Sequence, residues 1–188
     1  MRLRKHVELF MRGYIAALRV STEKDFPRDW AETQHNLGVM YINSPVGDRT
    51  ENLNQAIAAF KAALRVCTEK DFPLQWAGIQ TSLGNSYYFL PVGDCAENLT
   101  KSIAACQMAL RVETEKDFPV EWAELQDNLG TLYMELPIGN RTQNLKKARQ
   151  HLMNALQIWK SGTFPDYFQK TTYVLEKVEA ELKALNQN

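Results

Sequence analysis

Cysteine is scarce in this chain. Cys67, Cys95 and Cys106 are odd in number and have neither metal-type nor redox-type spacing, which argues against a disulfide framework and for free reduced thiols. Charge of one sign is lacking too: 22 Lys and Arg balance 22 Asp and Glu. Nucleic acid and anionic membranes are normally met by a clear basic excess, so neither is expected as the main partner. Long apolar runs are missing as well. The N-terminal stretch is basic, with Arg2, Arg4, Lys5, Arg12 and Arg19 against Glu8, but Glu8 and Arg12 interrupt its apolar residues. Neither a signal peptide nor a membrane span is expected, and the expected location is the cytoplasm. A phosphate-cradling glycine loop, an HExxH and a nucleophile elbow are all absent. The chain therefore reads as a non-enzyme, with no cofactor and no metal.

What is present is a repeat. "TEKDFP" occurs at Thr22–Pro27, Thr68–Pro73 and Thr114–Pro119, and Trp30, Trp76 and Trp122 keep the same spacing of 46 residues. Ser21–Val66 shares 26 of 46 positions with Cys67–Val112 and 23 with Glu113–Ile158. A period of about 20 to 50 residues marks supersecondary units that stack because one alone cannot bury its apolar face. The first half of each unit carries an apolar stripe at helical spacing: Trp30, Leu37, Gly38, Tyr41, with Trp76, Leu83, Gly84, Tyr87 and Trp122, Leu129, Gly130, Tyr133 in the later copies. The second half is another helix, with Leu53, Ala56, Ile57, Phe60, Ala63 and Leu64 on one face. Asp48 with Glu51, Asp94 with Glu97, and Asn140 with Gln143 form its capping boxes. "SPVG", "LPVG" or "LPIG" turns the chain between the two. At the joint between units, Asp25, Asp71 and Asp117 are expected to cap the next first helix and Pro27, Pro73 and Pro119 to open it; the Glu-Lys pair of TEKD has no assigned role. A mid-helix glycine costs roughly 0.5–1 kcal/mol against alanine, so Gly38, Gly84 and Gly130 predict close passage of a neighbouring helix backbone.

The ends extend the pattern. Residues 1–20 read as a second-type helix without its first partner, 21–66, 67–112 and 113–158 as three full units, and 159–188 as a capping first-type helix. Glu176 and Glu179 there replace the packing glycine and tyrosine. The expectation is one all-α domain over 1–188 with about eight helices.

"QHNLGVMY", "QTSLGNSY" and "QDNLGTLY", each followed by a small residue (Ala56, Ser102, Ala148), a bulky one (Phe60, Cys106, Leu152) and an alanine (Ala63, Ala109, Ala155), resemble the tetratricopeptide repeat (TPR). The period is 46 rather than 34, similar to the elongated variety of kinesin light chains and large cyanobacterial signalling proteins. The resemblance implies a right-handed superhelical solenoid of antiparallel helix pairs, whose first helices line a concave groove that holds peptides.

Individual side chains carry little chemistry. His6, His35 and His151 fall at non-equivalent repeat positions, Cys106 reads as a buried hydrophobe, and Cys67 and Cys95 read as exposed thiols. On a helix, a residue two along from another is rotated about 200° from it, so His35, Val39 and Asn43 turn away from the stripe. By repeat position the groove implied by the resemblance displays Glu32, His35, Val39 and Asn43, then Thr81, Asn85, Tyr88 and Phe89, then Glu124, Asp127, Thr131, Met134 and Glu135. Tyr88 and Phe89 form an apolar anchor among polar neighbours, as peptide hot spots do; the alternative is that Phe89 packs under the LPVG loop. The Lys/Asn/Arg clamp that some relatives use for a C-terminal dicarboxylate is replaced by His35, Val39, Ser82, Glu124 and Asn128. A basic or apolar segment is the expected guest of a protein-interaction scaffold. Homo-oligomeric self-assembly, or service as the interaction part of a larger signalling protein, is the alternative.

Overall fold

The computed structural model describes residues 2–187; the side chains of residues 2–6 and 8, which include Arg2, Arg4, Lys5, His6 and Glu8, lie outside those described. Among the described residues all regular structure is helical: α1 (Arg2–Val20), α2 (Pro27–Ile42), α3 (Arg49–Ala63), α4 (Pro73–Tyr88), α5 (Cys95–Ala109), α6 (Pro119–Glu135), α7 (Arg141–Ile158) and α8 (Pro165–Leu185). This is the expected all-α repeat of eight helices. None of these helices is long and apolar enough to cross a membrane. The residues fall into two compact units, Met1–Asn98 and Leu99–Asn188, with α5 running across the division. In unit 1, α1 to α4 each pack on the next and α2 also touches α4; in unit 2, α6, α7 and α8 do the same and α6 touches α8.

Each first-type helix starts on the proline of TEKDFP or its "GTFP" counterpart, at the first helical position. The residue before it, Phe26, Phe72, Phe118 or Phe164, occupies the N-cap with φ near −137°, −141°, −139° and −132°. Phenylalanine has no capping oxygen, but proline contributes no N–H and so removes one unpaired donor. Asp25, Asp71 and Asp117 therefore do not cap these helices: they stand one residue too early. Each closes a turn of its own instead. Thr22 Oγ1 donates to Asp25 Oδ2 (2.7 Å) and accepts from Asp25 N (3.1 Å), and Thr68–Asp71 and Thr114–Asp117 repeat both bonds. In the first copy the glutamate also has a partner: Arg65 reaches Glu23 with two bonds (3.0 and 2.7 Å) and lies 5.2 Å over the Trp30 ring.

The second-type helices start as expected, with Asp48, Asp94 and Asn140 accepting from the backbone N–H three residues on. Just before each cap, Gly47, Gly93 and Gly139 hold φ of 83°, 84° and 79°, which side-chain-bearing residues rarely adopt. A buried asparagine fixes the same loop in every copy. Asn52, Asn98 and Asn144 donate from Nδ2 to the carbonyls of Val46, Val92 and Ile138 at 2.7, 2.8 and 2.8 Å. Removing one side of a buried hydrogen bond costs about 1–3 kcal/mol. Asn144→Ala is thus expected to lower the unfolding free energy measured in urea by that amount, whereas Gln143→Ala at the exposed neighbour, whose cap bond is made by its backbone N–H, is expected to change it little.

The glycine expectation needs a correction. A Cβ on Gly38 would lie 2.5 Å from the Phe60 ring, and one on Gly130 would lie 2.5 Å from Leu152 Cγ. The bulky side chain of the following helix fills the hollow, and at Gly130 a backbone atom also comes close, the Ala148 carbonyl at 3.3 Å. The unit 1 core gathers Trp30, Ala31, Ala56, Ile57, Phe60 and Ile79; a core in unit 2 centres on Ala123, Ala155 and Trp159. In α8, Glu176 and Glu179 are exposed, as a capping helix requires.

Candidate functional site

In unit 1 the first-type helices α2 and α4 lie side by side and carry most of the expected groove residues. Asn43 is exposed at the C-cap of α2 and turns its amide back to Val39 O (3.0 Å). Val39 is half-buried and packs on the core, so its side chain is only partly turned to solvent. Thr81 is half-buried and donates to Ala77 O (3.1 Å), while Asn85 and Tyr88 are half-buried on α4. Phe89 does not tuck under the LPVG loop. It is 54% exposed at the C-cap of α4, with its ring edge-on to Tyr88 at 4.9 Å.

His35 sits apart from these, in a cleft of about 290 Å³ between α2 and α4. Ala31, Cys67 and Ile79 form its floor; Arg28, Glu32, His35 and Asn36 come from α2, Gln75 from α4, and Phe72 from the joint before it. Cys67 is 5% exposed, so the expectation of a surface thiol is overturned, and burial raises its pKa. The imidazole of His35 stands 5.8 Å from the Phe60 ring. Burial lowers its pKa against the opposing pull of Glu32 and so favours the neutral imidazole. Arg28 lies 5.7 Å over Phe72. The rim therefore offers one cation, one anion and neutral polar groups.

In unit 2 the corresponding face of α6 is differently arranged. Thr131 and Met134 are half-buried, and Glu135 is exposed at the helix end. Asp127 is not on an open face: it is 3% exposed and accepts from Thr171 Oγ1 (2.8 Å) and Lys170 Nζ (3.0 Å) of α8. A carboxylate held by these donors joins two helices and is closed to a partner. Trp159 is fully buried and stacks on Tyr167 (4.5 Å) with its edge near Phe164, and the Tyr167 hydroxyl reaches Glu124 (3.4 Å). Cys106 is buried as expected, its pKa pushed up to about 12 by burial, which makes it an unreactive thiol at neutral pH. Among the described residues no three His, Cys, Asp or Glu side chains gather as a metal-ligand group.

The cleft residues Arg28, Asn36, Cys67, Phe72, Gln75 and Ile79 were not expected. A usable signal was one repeat position, occupied in turn by Ser21, Cys67, Glu113 and Trp159, where side-chain size changes most. No protein-family model matches the chain, and no curated protein matches it.

Proposed function

We propose that this chain is a non-catalytic, TPR-like interaction scaffold that binds a basic or apolar protein segment across the first-type helices α2 and α4. The observation that carries this reading is the exposed Phe89 ring set edge-on against Tyr88 at the end of α4. An exposed aromatic ring braced by a half-buried one, with polar Asn85 on the same helix, has the make-up of an interface anchor, where aromatic side chains dominate binding energy. The repeat resemblance supports the same face. A cytoplasmic location, and no nucleic acid or membrane partner, belong to this reading.

Peptides selected from a random displayed library on the wild-type chain provide the test. Truncation of a hot-spot side chain costs about 2 kcal/mol or more, so Tyr88→Ala with Phe89→Ala is expected to weaken a selected peptide by at least roughly thirtyfold in calorimetry while far-UV helicity stays unchanged. Undiminished affinity would sink the groove reading.

Self-association is a second reading, favoured by one observation. Helix α1 exposes Leu9, Phe10, Ile15 and Val20, and several exposed apolar side chains on one helix can serve an association surface. If α1 mediates it, sedimentation should show dimers that persist in high salt and are lost with Phe10→Glu; a monomer throughout removes this reading.

A further inference from the structure

Two periods of 46 residues relate the α2/α4 cleft of unit 1 to the α6/α8 contact of unit 2, and the two differ in what fills them. In unit 2 the space is closed by the protein's own side chains. Trp159 lies on Tyr167, while Lys170 and Thr171 bind Asp127. The matching residues of unit 1 are Cys67, Gln75, Gly78 and Ile79, and Asp127 is matched by His35. The indole, the phenol and the lysine are each replaced by a smaller group, and a Cβ placed on Gly78 would meet nothing within 4 Å. A cavity of about 290 Å³ remains where unit 2 holds an indole.

We propose that this cleft receives a tryptophan or tyrosine side chain presented by the partner segment, and so rests on the scaffold reading above. Trp159 is the internal template for the occupant: an aromatic ring resting on the small floor residue Ala123, the counterpart of Ala31. The rim selects among aromatics. Arg28 and Glu32 cancel in charge and His35, Asn36 and Gln75 are neutral, so a charged guest gains nothing from the field, whereas an indole N–H or phenol O–H finds the Glu32 carboxylate and amide oxygens as acceptors. In unit 2 the indole N–H of Trp159 has no acceptor among the described residues. A guest ring in unit 1 enters from the solvent side, with its polar edge toward that rim.

The test is amide chemical-shift titration of the full chain with N-acetyl-tryptophanamide, using N-acetyl-leucinamide as the apolar control. Saturable shifts at Glu32, His35 and Gln75 are expected with the tryptophan probe at about 1 mM or below, and binding about tenfold weaker with the leucine probe. Cys67→Trp, which imitates unit 2, should weaken the tryptophan probe at least about tenfold. Should that variant lose its helical spectrum, Gln75→Tyr with Gly78→Lys, both at solvent-facing positions, closes the cleft from outside and carries the same expectation. No saturable shift, equal binding of both probes, or undiminished binding in the Gln75/Gly78 variant overturns the proposal. Tyr88 and Phe89 do not line the cleft, so their double alanine variant should keep the probe shifts. Peptide binding without probe binding overturns the cleft assignment alone; probe binding with no peptide bound by any selection overturns the scaffold reading and the assigned occupant with it.

Discussion

Glu113→Gln is expected to stabilise the protein by roughly 3 kcal/mol at pH 8 and to change little at pH 4. Glu113 is 8% exposed, and its pKa is raised to about 7, first by burial and then by the negative charges of Glu121 and Glu124. Below the ordinary value of 4.5 the carboxyl is protonated in both folded and unfolded chains, so no stability is at stake. Between 4.5 and about 7 the unfolded chain releases its proton while the folded one holds it, and stability falls as pH rises. From about one unit above that value both forms are ionised and the loss is complete. Glutamine cannot ionise and removes that loss. Urea unfolding of both proteins at pH 4, 6 and 8 should give a difference that grows with pH; a pH-independent difference would show that Glu113 does not titrate this way.

Trp159→Ala is expected to be the most damaging single substitution, at about 3–5 kcal/mol. The indole is fully buried among Ala123, Ala155, Phe164 and Phe168 and stacked on Tyr167, so its loss leaves a void lined on several sides. Trp159→Phe is expected to cost much less, about 1 kcal/mol, because the indole N–H has no acceptor among the described residues and no hydrogen bond is broken. Thermal unfolding of the two variants separates packing from polarity: similar losses would mean that the N–H does have a partner.

The joints between helices were readable from the sequence because they repeat. Phe-Pro at each first-helix start and Asx three residues before Glu or Gln at each second-helix start follow from local hydrogen-bonding rules that need no neighbour. Asp25, Asp71 and Asp117 were placed in the wrong turn because a carboxylate beside a helix start suits either the cap or the turn before it, and only the phenylalanine in the N-cap separates the two. Asp127 shares the helical register of His35, yet it is buried because Thr171 and Lys170, more than 40 residues away, fold over it. Rotation about one helix axis cannot foresee a donor on another helix. Cys67 looked exposed by its match to Ser21; its burial, like the cleft above it, depends on how α2 and α4 meet. The asparagines that hold the loops stood in plain view at Asn52, Asn98 and Asn144, but their partner is a carbonyl, which the side-chain pattern does not display.

The claim that the first-type helices bind a protein segment is tested most directly by mapping a selected peptide onto the chain with amide chemical shifts. Shifts that saturate together at His35, Asn85, Tyr88 and Phe89, and leave the outer positions of α3 such as Asn54 and Ala58 unmoved, are the predicted result. Shifts confined to α3, or a library that yields no binding peptide, would contradict it.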